Sequence, residues 1–256
     1  MLPRFRRLAA HEIREKTPGS LVTIADVEAE EALMAALADL LPGSLVVGEE
    51  AVGADAAVLA RLDEDGPVWV IDPVDGTINF AKSIPRFAMI VALVSGGQIQ
   101  AGWIHDPVRN ATIMASAGGG AWLAEAGQSR RLRCAPMPAL PQARGAVAGR
   151  IGGHRRALDV LKDSGRVGTV HRVTCAGQEY FDLVEGRADF AAFGRVLPWD
   201  HAAGVLIHRE AGGISGFLAD ANATPVPYTP RRQAGLFLLA PTDVAWREIR
   251  EVFLAP

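Results

Sequence analysis

Apolar residues recur at Val27, Leu33, Met34, Leu37 and Leu41 among acids and alanines, and this spacing predicts a helix over residues 26–41 that Pro42-Gly43 ends. Short apolar runs at 44–47 and 68–71 read as strands, the first leading into Gly48-Glu49-Glu50 and the second into Asp72. Two strands therefore end in carboxylates. Residues 88–94 and 99–104 flank the turn Ser95-Gly96-Gly97, and 112–115 and 121–123 flank a three-glycine turn at Gly118, the pattern of a meander of consecutive strands. Ahead of these, a short first helix is expected over 4–15, and Lys16-Thr17-Pro18-Gly19-Ser20 reads as a mobile loop.

Beyond the meander, the Pro/Ala-rich stretch 136–141 is the expected crossing between two portions, 1–135 and 136–256. The second portion predicts helices over 155–162, 178–184 and 199–210, strands near 189–193 and over 235–239, and an amphipathic tail around Trp246, Ile249 and Phe253. The helix at 199–210 carries Asp200 near its first turn and Gly212-Gly213 as its stop. No internal repeat is present, and the mixture of elements places the chain in the α+β class.

The length of 256 residues, with 49% hydrophobic and 21% charged positions, gives enough chain for a well-buried core. A net charge of −3 argues against a nucleic-acid partner. The longest apolar run, 87–94, falls far short of the ~20 residues a bilayer-spanning helix needs, so no membrane association is expected. Residues 1–7 are basic, but His11 and Glu12 break the short apolar stretch after them and leave no signal-peptide core, which makes the cytoplasm the expected location. Cys134 and Cys175 form no CxxC pair, so neither a disulfide framework nor a cysteine zinc site is expected.

Candidate chemistry concentrates in Asp72-Pro73-Val74-Asp75-Gly76-Thr77-Ile78-Asn79-Phe80. Carboxylates at a strand end suit Mg²⁺, which takes oxygen ligands from a few carboxylates, waters and phosphate. Backbone N–H groups at Gly76 and Thr77, if they open a helix, would face an anion. The plainer alternative is an Asp/Gly turn whose acids only cap backbone N–H groups. The motif differs from the Asp-x-Asp-Gly-Thr of haloacid-dehalogenase-like phosphatases by one residue. Residues three apart point oppositely in an extended chain unless it turns, as Pro73 encourages, so the spacing favours a turn around an ion over a covalent nucleophile.

Three separated segments complete the pattern: Gly48-Glu49-Glu50, the stretch just described, and Pro198-Trp199-Asp200-His201-Ala202-Ala203-Gly204 with Glu210-Ala211-Gly212-Gly213. Together with Leu21-Val22-Thr23-Ile24-Ala25-Asp26, they resemble the inositol monophosphatase family of magnesium-dependent, lithium-sensitive phosphatases over about residues 16–256. The resemblance implies a layered αβαβα sandwich, commonly a homodimer, acting on a small phosphorylated metabolite. It implies that Glu49, Asp72 and the carbonyl of Val74 bind one Mg²⁺, that Asp72, Asp75 and Asp200 bind a second, and that Asp26 contributes to a third. Thr77 paired with Glu49 would deprotonate the attacking water, and Gly76 with Thr77 would hold the phosphate. Four clustered carboxylates would repel one another and take up protons without cations, and a two-metal site is what in-line phosphomonoester hydrolysis needs.

Other residues read more plainly. Glu50 is either a partner of the site or a solvated neighbour, and Trp199 is expected in the core. His201 and His208 share a helix face without further zinc ligands, Cys175 reads as a small buried residue, and Arg130, Arg131 and Arg133 read as a solvated loop. Inositol-specific members carry an acid shortly before the Trp-Asp pair, whereas residues 191–198 offer none and the nearest is Asp189. Phe193 and Arg195 are therefore expected in the substrate pocket, favouring an anionic or flat leaving group. A bisphosphate nucleotidase or histidinol-phosphate phosphatase on the same scaffold is the alternative, and a catalytically silent metal-binding relative the alternative of a different class.

Overall fold

The chain opens on two single-turn 3-10 segments, Leu2–Arg4 and Ala10–Glu12, and a hairpin of β1 (Ile13–Thr17) and β2 (Ser20–Thr23), in a computed structural model that describes residues 1–17, 19–151, 155–218, 224–231 and 234–255. The helix expected over 4–15 is absent. Arg6 adopts φ 63, which breaks helical winding, and Ile13 to Thr17 pair antiparallel with β2 instead. Phe5 anchors the segment by packing on Phe87 and Phe80, with ring centroids 4.8 and 5.5 Å away. Lys16 lies in β1 and Gly19 in the turn, while Pro18 falls outside the described residues, so this stretch is a hairpin rather than a free loop.

Thr23 caps α1 (Ile24–Leu40) by accepting from Ala25 N, and Asp26 accepts from Thr23 N at 2.8 Å. Next comes a seven-stranded sheet in sequence order: β3 (Leu45–Gly48), β4 (Val68–Asp75), β5 (Ala88–Ser95), β6 (Gln98–Asp106), β7 (Ala111–Ser116), β8 (Gly120–Glu125) and β9 (Gln128–Arg131). Only β3 and β4 are parallel. Short α2 (Glu49–Ala54) follows β3, and short α3 (Thr77–Ala81) follows β4. The expected meander is present, but Arg130 and Arg131 extend it as the exposed edge strand β9 where a loop was expected.

The second sheet holds β10 (Arg144–Ala148), β13 (Thr169–Arg172), β14 (Phe190–Arg195), β15 (Ile214–Phe217) and β16 (Ala234–Ala240), in the order β13-β10-β14-β16-β15. Between β10 and β13 come the two-residue strands β11 (Arg150–Ile151) and β12 (Arg155–Arg156) and helix α4 (Ala157–Ser164). Arg155 and Arg156 thus belong to a strand pair, not to the helix expected from 155. Helices α5 (Ala176–Val184), α6 (Pro198–Glu210) and α7 (Asp243–Leu254) complete the chain.

Alternation sorts the strand side chains into layers. Trp69 and Ile71 of β4 pack with Leu37 of α1, while Val68 and Val70 face α5 and α6. Likewise Ala191, Phe193, Phe237 and Leu239 face those two helices, and Phe190, Ala192, Leu236 and Leu238 face α4 and α7. The result is the αβαβα sandwich, with α5 and α6 between the sheets. Small residues set how closely α6 sits: a Cβ on Gly102 would lie 2.7 Å from Ala203 Cα, and one on Gly204 would lie 2.2 Å from the Tyr180 ring. No helix among the described residues is long and apolar enough to cross a membrane.

Candidate active site

Glu49 is the first residue of α2, placed where β3 ends. That helix start is held by a residue the sequence reading did not single out. The buried Glu30 of α1 accepts from Glu50 N at 2.9 Å and Ala51 N at 2.8 Å, satisfying two amides that a helix leaves unpaired. Gly48 permits this approach, since a Cβ there would lie 2.4 Å from Glu30 Cδ. Lys16 of β1 donates to both Glu49 and Glu50. Glu50 is thus a partner of the site, and burial pushes its carboxyl up to about 7 even with Lys16 beside it.

The end of β4 brings Asp72 and Asp75 to the same place. Asp72 is buried and accepts from Val74 N at 3.0 Å, which folds the strand end back on itself. Gly76 then takes φ 86 and opens α3 at Thr77. The Thr77 hydroxyl lies 3.0 Å from both Asp26 Oδ1 and Val74 O, and Asp26 Oδ2 accepts from the Thr23 hydroxyl at 2.6 Å. Thr77 was expected to pair with Glu49. Its hydroxyl is hydrogen-bonded to Asp26 instead, while Glu49 pairs with Lys16.

Asp200 enters from the first turn of α6. Ligand oxygens of Glu49, Asp72 and Asp200 all lie within 4.8 Å of one another. Burial, then the neighbouring carboxylates, drives Asp72 and Asp200 well above the ordinary carboxylate range, with Arg195 opposing at Asp200. Hard oxygen donors from three elements, one of them buried, fit a divalent cation such as Mg²⁺.

Asp75 is turned toward α5. It accepts from Gly177 N at 2.5 Å, Ala176 N at 3.2 Å and the Cys175 thiol at 3.0 Å, which offset the burial that raises it. Oδ1 takes only one of these bonds, so it keeps a lone pair for a ligand. The buried Cys175 is therefore a hydrogen-bond donor to the site.

A cleft of ≈ 460 Å³ opens beside the carboxylates, lined in part by Asp75, Cys175, Phe193, Arg195, Asp200 and His201. Both expected pocket residues line it, Phe193 packed against His201 at 4.5 Å between centroids. Among the described residues Asp75 and Asp200 are its only acids, and Asp189 sits at the other end of β14 on Arg144. Trp199 and His208 are buried in α6, and His201 Nδ1 pairs with the Tyr180 hydroxyl at 3.0 Å, so neither histidine joins the carboxylates. Glu210 caps the three-glycine turn through Gly118 N and Gly120 N.

Comparison with known proteins agrees with this geometry. The model of the inositol monophosphatase family matches residues 2–236. A fructose-1,6-bisphosphatase/inositol-1-monophosphatase of Thermotoga maritima is 28% identical over 78% of this chain and 73% of its own length. An inositol-1-monophosphatase of Caulobacter vibrioides is 32% identical over 82% of this chain and 80% of its own. Among solved structures, the Thermotoga maritima IMPase matches 98% of this chain and 90% of its own, with TM-score 0.79 at 24% identity. The extragenic suppressor protein suhB of Bartonella henselae matches 95% and 88%, with TM-score 0.77 at 25% identity. With the expected sandwich formed and acids from three elements gathered at one cleft, the chain belongs to the inositol monophosphatase family of magnesium-dependent phosphomonoesterases.

Proposed function

We propose that this enzyme hydrolyses a small phosphorylated alcohol other than inositol phosphate, using two magnesium ions held by Glu49, Asp72, Asp75, Asp200 and the main-chain carbonyl of Val74. The convergence of Glu49, Asp72 and Asp200 within 4.8 Å carries the reading. Magnesium at such a site supplies an activated water on one side of phosphorus and stabilises charge on the leaving oxygen on the other.

The remaining roles belong to the protein. Thr77 donates its proton to Asp26, which leaves a hydroxyl lone pair free to accept from the attacking water. Asp26, shared between Thr23 and Thr77, fixes that orientation and is the proposed ligand of a third, weaker ion. Gly76 and Thr77 present backbone N–H groups to the phosphate, and Glu30 holds Glu49 in position through α2. Phe193 and Arg195 take the leaving group. A pocket without a carboxylate for sugar hydroxyls discriminates against inositol, while a cation and a ring favour an anionic or flat alcohol.

The test is phosphate release over inositol 1-phosphate, sugar phosphates, histidinol phosphate and 3′-phosphonucleotides, with Mg²⁺, with chelator and with lithium. Release that requires Mg²⁺, falls with lithium and ranks inositol phosphate low is expected. Inositol 1-phosphate as the best substrate would overturn the substrate assignment, and no release from any would overturn the activity. A homodimer and a cytoplasmic location belong to the same proposal, checked by light scattering and cell fractionation.

A further inference from the structure

Tyr180 of α5, Phe193 of β14 and His201 of α6 form a buried cluster of three rings, and two of them, Phe193 and His201, line the cleft that holds Asp75 and Asp200. Phe193 stacks on Tyr180 with centroids 6.1 Å apart and meets His201 edge-on at 4.5 Å. Gly204, one turn after His201, brings α6 against the Tyr180 ring, since a Cβ there would lie 2.2 Å from it. Apolar rings would serve burial as well as these do. This cluster adds a directed bond: the Tyr180 hydroxyl and His201 Nδ1 lie 3.0 Å apart.

That bond fixes where the imidazole proton sits. A buried hydroxyl left without an acceptor is costly, and Nδ1 is the hydrogen-bond partner of the Tyr180 hydroxyl among the described residues. Tyr180 therefore donates, Nδ1 accepts, and the ring proton is on Nε2. The main chain of Arg195 agrees with this, because its hydrogen bond to the ring favours a protonated nitrogen, so that a carbonyl accepts from Nε2. His201 thus bridges the Tyr180 hydroxyl on α5 and the Arg195 carbonyl at the end of β14.

The bridge registers three parts of the site. His201 directly follows Asp200 in the first turn of α6, Arg195 is the last residue of β14, and Phe193 stands two positions before it. A slip of α6 along β14 would change the offset between the Asp200 carboxylate and the residues that meet the leaving group. We propose that His201, oriented by Tyr180, is a positioning residue for the leaving group: it holds the Phe193 ring and the Arg195 main chain at a fixed offset from Asp200, and so sets selectivity among phosphorylated alcohols. The inference rests on the phosphomonoesterase reading above and adds to it the pair that seats the alcohol. A supporting contact of this kind keeps a site within the tolerance that recognition needs.

Nitrogen-15 NMR of the histidine rings reads the tautomer without turnover, with His201 assigned by its absence in His201→Ala. An Nε2–H ring is expected, with an Nδ1 resonance that moves toward that of a free acceptor in Tyr180→Phe. Kinetics read the consequence, as the ratio of kcat/KM for the best substrate of the panel above over methyl phosphate, whose leaving group is too small to span the cleft. The ratio is expected to fall about tenfold in Tyr180→Phe, the scale of one buried hydrogen bond, through KM rather than kcat and with the Mg²⁺ requirement unchanged. Arg195→Ala should lower the same ratio, and Tyr180→Phe added to it should lower it little further, since both act at the end of β14. An Nδ1–H ring in the unsubstituted protein overturns the positioning role, and that measurement holds even if a variant does not fold. Phosphate release with a ratio that Tyr180→Phe leaves unmoved, or with effects of Tyr180→Phe and Arg195→Ala that simply add, also overturns the role and leaves the phosphatase reading standing. No release from any substrate overturns the phosphatase reading and this role with it.

Discussion

Glu30 reaches across to the backbone of Ala51, 21 positions along the chain, and accepts its N–H at 2.8 Å while also accepting from Glu50. The contact makes the position of Glu49 depend on a carboxylate that touches no ligand. Glu30→Gln keeps one acceptor and replaces the other with a donor facing an amide. The Mg²⁺ concentration for half-maximal activity is expected to rise about tenfold or more, the scale for groups that orient metal ligands. Gly48→Ala should do the same from the other side of the contact. Activity against Mg²⁺, read beside unchanged circular dichroism, checks both.

Without a cation, the carboxylate cluster is expected to weigh against the fold. Asp72 and Asp200 are raised by burial and by each other's neighbours, so at neutral pH each ionised acid weighs against the metal-free folded state. Asp72→Asn is expected to raise the melting temperature in chelator and to remove most of the further rise that Mg²⁺ gives the unsubstituted protein. Differential scanning calorimetry with and without Mg²⁺ decides this. A larger Mg²⁺ response in the variant would contradict the assignment.

Turnover should respond more strongly than stability at the same site. Asp200→Asn and Asp75→Asn are expected to lower kcat by at least ~10², as when a group stabilising transition-state charge is lost. Phosphate-release kinetics on folded variants measure it, and near-normal turnover in either would remove that residue from the metal set.

His208 gives a pH signature separate from the carboxylates. Burial lowers its pKa from 6.5 to about 4, so between these values the unfolded chain binds a proton that the native protein does not. Its contribution is therefore fully present above pH 6.5 and is lost as pH falls toward 4. The slope is about 1.4 kcal/mol per pH unit. Urea unfolding at several pH values should show the unsubstituted protein losing about 3 kcal/mol relative to His208→Gln across that window. A pH-independent difference would mean that the histidine is not buried in its neutral form.

Arg86 ties the segment after α3 to α5 through Glu179 at 2.9 Å and Asp182 at 2.7 Å, and Glu179 is fully buried. Among the described residues, Arg86→Ala would leave that acid with only the exposed His171 nearby. A loss of about 2–3 kcal/mol in chemical unfolding is expected, below the range for fully buried pairs because Arg86 is partly exposed.

Much of the first sheet was legible because its strands carry apolar runs bounded by turn residues, and α6 was legible from Asp200 near its first turn and the glycines at its stop. Strands β10 and β13 were not. Gly145-Ala146-Val147 offers little alternation, and Gly145 is small because the Phe190 ring occupies the place of its side chain, with a hypothetical Cβ 2.1 Å away. The β1–β2 hairpin was hidden by its mostly polar composition. At the site, the acids announced themselves by motif and by the ends of strands. The partners of those acids did not, because Asp26 with Thr77 and Glu30 with Ala51 are contacts made by the fold between residues far apart in the chain.

Gly102 of β6 faces Ala203 of α6 and Gly204 of α6 faces Tyr180 of α5, and each is a place where one more methyl group would push the helix away from its seat. Asp200 rides on that helix while Asp72 is fixed in the sheet. The span across which two acids from different layers would clasp a cation is therefore gauged by two absent methyl groups. Neither glycine touches a ligand, yet a side chain at either would act as a shim, widening the jaw without altering a single tooth.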